Sequence, residues 1–550
     1  MADHASPPLH KTRDERHAFA AQAAPCDDLA ILAQPAGDRP CHRKRLALAA
    51  TILGSSMAFI DGSVVNVALS AIQSELGANV AAMQWVVNAY LLLLGSLVLV
   101  GGAMGDKIGR RTVFIAGVGL FTAASAACGF APSSGVLIGA RAVQGVGAAL
   151  LVPSSLAIIG AVFDERERGR AIGTWAGVGA ITSAVGPVAG GWLVDAFSWR
   201  AIFYLNLPLA AATIALALSS VPDSRNEGAA RRLDWAGALT AAAGFGALAY
   251  GLTRASSRGF NDEIVIGAIA AGILVCAVFI AIEARSEDPM MPLDVFHSRD
   301  FSGANLVTLL LYFGLGGALF FLPFTLIRAH GYSATEAGAA LLPLPVVMGG
   351  LSRFTGGLAT RLGPRALLTV GPLIAAVGFT LLALPALFET DRETYWTSFF
   401  PGLVVLGLGM TITVAPLTTT VMTAVPATRT GVASGINNAV ARIASLLAIA
   451  VLGIVFIWSH GAALAVRLER LNIPPDLHRA GQLLEPDTST LASAHAVPAR
   501  ILEAQAEAID AGLRAVALTS AACALLGAAC AAAMIRGQRE RQGEIQEQAR

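Results

Sequence analysis

Hydrophobic positions in this chain fall in long, nearly unbroken runs, without the alternation or the three-to-four-residue stripe of elements that face water on one side. About 20 apolar residues cross a hydrocarbon core of about 30 Å. Runs of that length between charged or Pro/Gly breaks predict spans at 46–69, 83–104, 112–131, 135–160, 171–194 and 201–221, then 234–253 and 263–283. A last set follows at 303–327, 335–358, 366–388, 398–422, 433–458 and 512–535. The grouping is six, two and six, which predicts an all-α membrane protein with fourteen spans. It divides into a disordered tail at 1–43, a six-helix bundle at 44–222, two inserted helices at 223–288, a second six-helix bundle at 289–536 and a tail at 537–550. The stretch from about 459 to 511 is expected as a loop, with a surface helix in its later part, from Ala494 to Asp510.

Charge sets the orientation. Alternate loops carry Arg43-Lys44-Arg45, Lys107/Arg110/Arg111, Arg166/Arg168/Arg170, Arg225/Arg231/Arg232, Arg285/Arg299 and Arg361/Arg365. The opposite loops are sparse, with Arg200, Arg254, Arg258, Arg328 and Arg392. The positive-inside bias predicts both termini in the cytoplasm and the 459–511 loop outside. An even number of spans requires the same agreement. The leading polar segment is too long and too charged for a signal peptide, so the first span is expected to stay in place.

Composition narrows the function classes. Only 14% of the 550 residues are charged, too few to wet the surface of a soluble protein of this size. A net charge of +1 gives no reason to expect nucleic acid. The six cysteines are scattered singly, with no ligand spacing, so no disulfide framework, metal site or cofactor is expected. Nor does a nucleophile–base pair suggest an enzyme. The abundance of arginine and alanine over lysine hints at a GC-rich bacterial genome, and so at a bacterial inner membrane.

Several strings carry chemistry. The loop after the second span reads Gly102-Ala103-Met104-Gly105-Asp106-Lys107-Ile108-Gly109-Arg110-Arg111, one acid among bases between turn-forming glycines. By itself this is a tight turn with a topology signal, or a set of ion pairs at helix ends. The second half repeats it as Gly356-Gly357-Leu358-Ala359-Thr360-Arg361-Leu362-Gly363-Pro364-Arg365, with Thr360 in place of the acid. The first span holds Asp61, the one acid expected well inside any span, with Asn66 five residues on, and no histidine is expected inside a span. Burial favours the neutral form of a carboxyl and a nearby arginine the ionised form. A group balanced between them takes a proton from one side and releases it to the other; the plainer reading is an Asp permanently paired for packing. The fourth span carries Arg141, Gln144, Gly145 and Gly147. An arginine there faces a cavity or a partner, or snorkels from the helix end. The fifth carries Gly186-Pro187-Val188-Ala189-Gly190-Gly191, read as a kinked, closely packed helix. Trp85 and Asn88 share a face in the second span, where Trp85 reads equally as an interfacial belt residue. Asn305, Thr308 and Tyr312 make a polar stripe in the ninth, and Asn438 and Arg442 share a face of the thirteenth. In-span amides line a cavity or bond between helices.

Taken together these strings resemble the major facilitator superfamily and, within it, the fourteen-helix drug–proton antiporters. The resemblance runs from residue 44 to about 536. It rests on the loop signature, the helix 4 string, the helix 5 string of exporters, Trp199-Arg200-Ala201-Ile202-Phe203-Tyr204-Leu205-Asn206-Leu207-Pro208 at the start of helix 6, and Phe59-Ile60-Asp61-Gly62-Ser63-Val64-Val65-Asn66 in helix 1. The family pattern usually has glycine where Thr182 stands and proline where Ser70 stands. The resemblance implies two pseudo-symmetric six-helix bundles with two helices inserted, acting as a monomer in the lipid bilayer. It implies exchange of protons for a small organic substrate, with proton coupling at Asp61 and Arg141. Gly102, Asp106, Gly109 and Arg110 would form a cytoplasmic gate, and Gly186, Pro187, Gly190 and Gly191 the antiporter motif. Asn66, Trp85, Asn88, Gln144, Asn305, Tyr312, Asn438 and Arg442 would line the substrate cavity. Arginines and amides without a carboxylate in the second half suggest neutral or anionic cargo, and leave open a narrow-specificity exporter of one metabolite. A membrane sensor or scaffold on the same fold is the alternative of another class.

Overall fold

The computed structural model describes residues 44–224, 234–287, 289–383, 395–426, 429–470 and 499–536. The tails at 1–43 and 537–550 and the middle of the 459–511 stretch lie outside the described residues, as do the side chains of Arg353 and Arg361. No strand occurs among the described residues, and fourteen helices are long and apolar enough to cross a membrane. They are α1 (Lys44–Leu76), α2 (Val80–Ile108), α3 (Arg110–Gly129), α4 (Ser134–Val162), α5 (Glu165–Ala196) and α6 (Ala201–Tyr204 continued by Asn206–Ser220). Then come α7 (Trp235–Arg258) and α8 (Glu263–Arg285). The last six are α9 (Arg299–His330), α10 (Ala334–Ala340 continued by Pro343–Leu362), α11 (Pro364–Ala383), α12 (Phe400–Thr423), α13 (Thr430–Arg470) and α14 (Ala499–Met534).

In hydrocarbon no water satisfies backbone groups, so an apolar run of this length folds as a helix. The ends are set locally. Asn79, Ser133, Asp234, Asp262 and Ser298 accept from the first free N–H groups of α2, α4, α7, α8 and α9. Ser333 and Glu336 form a capping box on α10.

Phe114, Phe121 and Trp175 are buried in the first bundle, and Phe321, Phe379 and Phe456 in the second. The bundles meet where α1 packs on α9, α2 on α13 and α5 on α10. The inserted pair lies against the α2–α13 seam: α7 contacts both helices, and Trp85 of α2 packs on Tyr250 at 6.4 Å between ring centroids. Most of α8 packs only on α7, and it is the most hydrophobic and least buried of the spans. Ile266, Ile273, Leu274 and Ile280 point outward as lipid-facing side chains.

One expectation is corrected. Residues 459–470 and 499–511 are not loop but helix: α13 runs 41 residues, about 60 Å, twice the hydrocarbon thickness. The expected surface helix before Asp510 is the first part of α14, itself 36 residues long. Leu464 and Leu468 pack against Ala504 and Ala508, so the two extensions support one another. His460 therefore lies inside α13, two residues past the predicted span 433–458. It is 4% exposed and stacks on Phe456.

Candidate functional site

Asp61 of α1 and Arg141 of α4 form an ion pair of 2.5 Å, each side chain 1% exposed. Gln144, one helical turn after Arg141, donates from Nε2 to the second carboxylate oxygen at 2.9 Å and accepts from Arg141 at 2.8 Å. The guanidinium also donates through Nε to the Val86 carbonyl of α2 at 3.0 Å and lies 4.3 Å from the centre of the Tyr90 ring. Both carboxylate oxygens and most of the guanidinium thus have partners. This closed network is what makes a full charge pair tolerable at that depth. Removing one member of such a pair typically costs about 3–5 kcal/mol.

A cavity of about 350 Å³ opens between the bundles. Ala58, Phe59, Gly62, Ser63 and Asn66 of α1 line it, and on an ideal helix Asp61 points about 130° away from the centre of that face, toward α4. The opposite wall is Tyr312 of α9, Met348 of α10, Met410 and Thr418 of α12, and Asn438 and Arg442 of α13. No carboxylate or second basic side chain belongs to its described lining. Arg442 is thus a cation in mid-membrane, where an uncompensated charge costs at least ~2.5–3.5 kcal/mol.

The bundles touch closely at the end away from the basic loops. Asp195, at the end of α5, accepts from the backbone N–H groups of Ala334 (3.1 Å) and Thr335 (2.8 Å) and from the Thr335 hydroxyl. Arg328 of α9 donates to the Ser70 carbonyl of α1 at 3.3 Å. The helix 5 motif sits in this contact. Gly186 faces Ser63 and Gly190 faces Val64, both on α1, while a Cβ on Gly191 would run into the Ala334 backbone. A Cβ on Gly338 of α10 would meet the Pro187 carbonyl. The cavity is shut at this end and reaches toward Leu417, Thr418 and Asn437 in the basic-side parts of α12 and α13.

At the basic end, Arg110 donates twice to Asp106 Oδ1, at 3.0 and 2.8 Å, and to the Ala157 carbonyl of α4 at 3.2 Å. Gly109 adopts φ 132°, a conformation glycine alone enters without strain, and a Cβ there would strike Asp223. Gly102 faces Pro153 of α4. The loop thus ties the end of α2 to α3, α4 and the segment after α6. Asp106→Asn removes the carboxylate charge that Arg110 meets but leaves the topology-setting bases. It is expected to slow transport severalfold at unchanged membrane insertion, read from initial rates normalised to protein amount; wild-type rates would reduce the loop to a topology signal.

Of the residues expected at a cavity, Asn66, Tyr312, Asn438 and Arg442 line it. Gln144 belongs to the Asp61 network instead. Asn305 accepts from Asn437, which also donates to Thr308 at 2.7 Å, so this stripe bonds α9 to α13. Trp85 lies against α7. Asn88 is fully buried in α2, and neither amide atom has a partner. Asp195 was missed from the sequence, although a signal existed: an acid at a helix C-terminus opposes the helix dipole and is stabilised by the N-terminus of another helix. Ser183 and Met348 carry no such mark.

A family model described as Major Facilitator Superfamily matches residues 51–449. The multidrug resistance protein Stp of Mycobacterium tuberculosis is 37% identical over 435 residues, 79% of this chain and 80% of that protein. The tetracenomycin C resistance and export protein of Streptomyces glaucescens is 34% identical over 78% of both chains. The methylenomycin A resistance protein of Streptomyces coelicolor is 34% identical over 78% of this chain and 90% of that one. Among solved structures, a bacterial homologue of the human lysosomal transporter Spinster superposes with a TM-score of 0.62 at 18% identity, over 89% of this chain and 98% of that one. The chain belongs to the major facilitator superfamily, a multi-pass membrane protein family of transporters for small substrates.

Proposed function

We propose that this protein exports amphiphilic organic compounds, antibiotics or toxic metabolites among them, across the bacterial inner membrane in exchange for protons. Both termini would be cytoplasmic, with a monomer as the working unit. The observation that carries the reading is the placement of a closed Asp61–Arg141–Gln144 network in α1 and α4 directly behind the α1 face that lines the inter-bundle cavity. A proton taken up by Asp61 loosens its hold on Arg141 and Gln144, and α1 transmits the change to the cavity wall at Gly62 and Ser63. The relatives named for resistance to or export of antibiotics support the substrate class. Membership of a transporter family supports transport rather than catalysis.

Efflux of a panel of antibiotics and dyes from cells with and without the gene tests the reading. Cells carrying the gene should retain severalfold less of at least one compound, and the difference should vanish when the proton gradient is collapsed. Efflux that persists without the gradient would remove proton coupling from the proposal.

A further inference from the structure

We propose that Arg442 is an anion subsite, and that the cavity takes amphiphiles bearing one acidic group, such as a carboxylate, sulfonate or phenolate, which the guanidinium holds. The inference rests on the cavity being the substrate path, and specifies what it accepts. Arg442 lies on the face of α13 that lines the cavity, with Asn438 one turn before it and Ser445 one turn after. The root of its side chain is fixed, since a Cβ on Gly95 of α2 would lie 3.1 Å from the Arg442 Cβ. Two acids on the cavity-lining helices α1 and α5, one buried and one exposed, are already engaged elsewhere. Asp61 is held by Arg141 and Gln144, and Asp195 by the start of α10. No carboxylate belongs to the described lining, so a bound anion would bring the counterion absent from those described residues.

The guanidinium is permanently charged and presents a planar fork of donors matched to a carboxylate or sulfonate. Asn438, Ser445 and Tyr312 add hydrogen-bonding groups around it, and Phe59, Met348 and Met410 offer apolar walls for the remainder of the ligand. A neutral analogue gains the walls alone. A cation meets a like charge in a low-dielectric space and is disfavoured.

The test uses two probes that share one aromatic body, 8-anilinonaphthalene-1-sulfonate and the neutral N-phenyl-1-naphthylamine. Each is titrated by fluorescence into the purified full chain in lipid nanodiscs, with empty nanodiscs subtracted. Wild type should bind the sulfonate at least about tenfold more tightly than the amine. Arg442→Gln should weaken the sulfonate by about tenfold or more and leave the amine within about twofold, while Arg442→Lys keeps part of the preference. Equal weakening of both probes, no weakening of either, or a wild-type protein without the preference overturns the subsite. The wild-type comparison stands even if Arg442→Gln fails to fold. Ser183→Trp, which fills the cavity from α5, separates this from the underlying reading. If it leaves both probes bound, the cavity is not the binding site; if it blocks both while Arg442→Gln discriminates nothing, only the anion subsite falls.

Discussion

Asp61→Asn is expected to abolish uphill transport driven by a proton gradient, reducing the substrate accumulation ratio in proteoliposomes to about one. Asparagine is close in shape to aspartate and can still accept from Gln144 or Arg141, so the fold has a route to persist. The cost of leaving Arg141 without its counterion, a fraction of the roughly 3–5 kcal/mol for breaking a buried pair, should show as a lower melting temperature. What the variant cannot do is bind and release a proton. One pH unit supplies about 1.4 kcal/mol per proton and a potential of 100 mV about 2.3 kcal/mol per charge. For a neutral substrate, one exchanged proton driven by both sustains a gradient of about five hundredfold, and that ratio is what the variant should lose. Substrate and internal pH are followed together after a proton gradient is imposed. The variant should show downhill equilibration without substrate-induced proton movement. Wild-type accumulation with wild-type proton flux would move the proton site away from Asp61 and leave the fold untouched.

The second large effect is expected at the contact between α5 and α10. Gly338→Val or Gly191→Val should cut transport by about tenfold or more while the protein still reaches the membrane in normal amounts. The added side chain meets backbone, the Pro187 carbonyl in one case and the Ala334 carbonyl in the other, and backbone cannot swing aside as a long side chain does. Both contacts join the two bundles and neither supports the packing within one. The strain therefore falls on the arrangement closed at this end, and the population shifts toward one open there. The readout is labelling of a single cysteine, Ser183→Cys in an otherwise cysteine-free chain, by a membrane-impermeant thiol reagent applied from the side opposite the basic loops. Labelling should accelerate severalfold in the valine variants. Unchanged labelling with normal transport would show that the glycines serve packing alone.

The basic loop shows how much local geometry a short string already contains. Gly109 sits at a positive φ that other residues adopt only under strain, and Asp106 and Arg110 lie four residues apart on either side of that turn, so their ion pair is local to it. The Asp61–Arg141 pair is different. Each residue is conspicuous alone as a charge in an apolar run, but 80 residues separate them, and only the packing of α1 on α4 brings them to 2.5 Å. Gln144 carried a polar signal that fits cavity lining and ion-pair satisfaction equally, and the packing chose the second. Trp85 reads alike as a belt residue and a substrate contact, and it packs against an inserted helix instead.

By itself the sequence determined the fourteen spans, since a run long enough to cross hydrocarbon has one way to satisfy its backbone. It also determined the turn at Gly109, because that conformation is a property of one residue and its neighbours. Tertiary structure alone decided what lies opposite what. The extension of α13 reads as loop and that of α14 as a separate surface helix, because neither is apolar enough to form a span there; each continues its span where Leu464 and Leu468 of α13 pack on Ala504 and Ala508 of α14. Asp195 acquires its partners from a helix that begins 139 residues later. Asn305 and Asn438 are the same residue type on facing helices. One bonds across to α13 and the other faces the cavity, a difference set by helix rotation, which depends on every contact in the bundle at once.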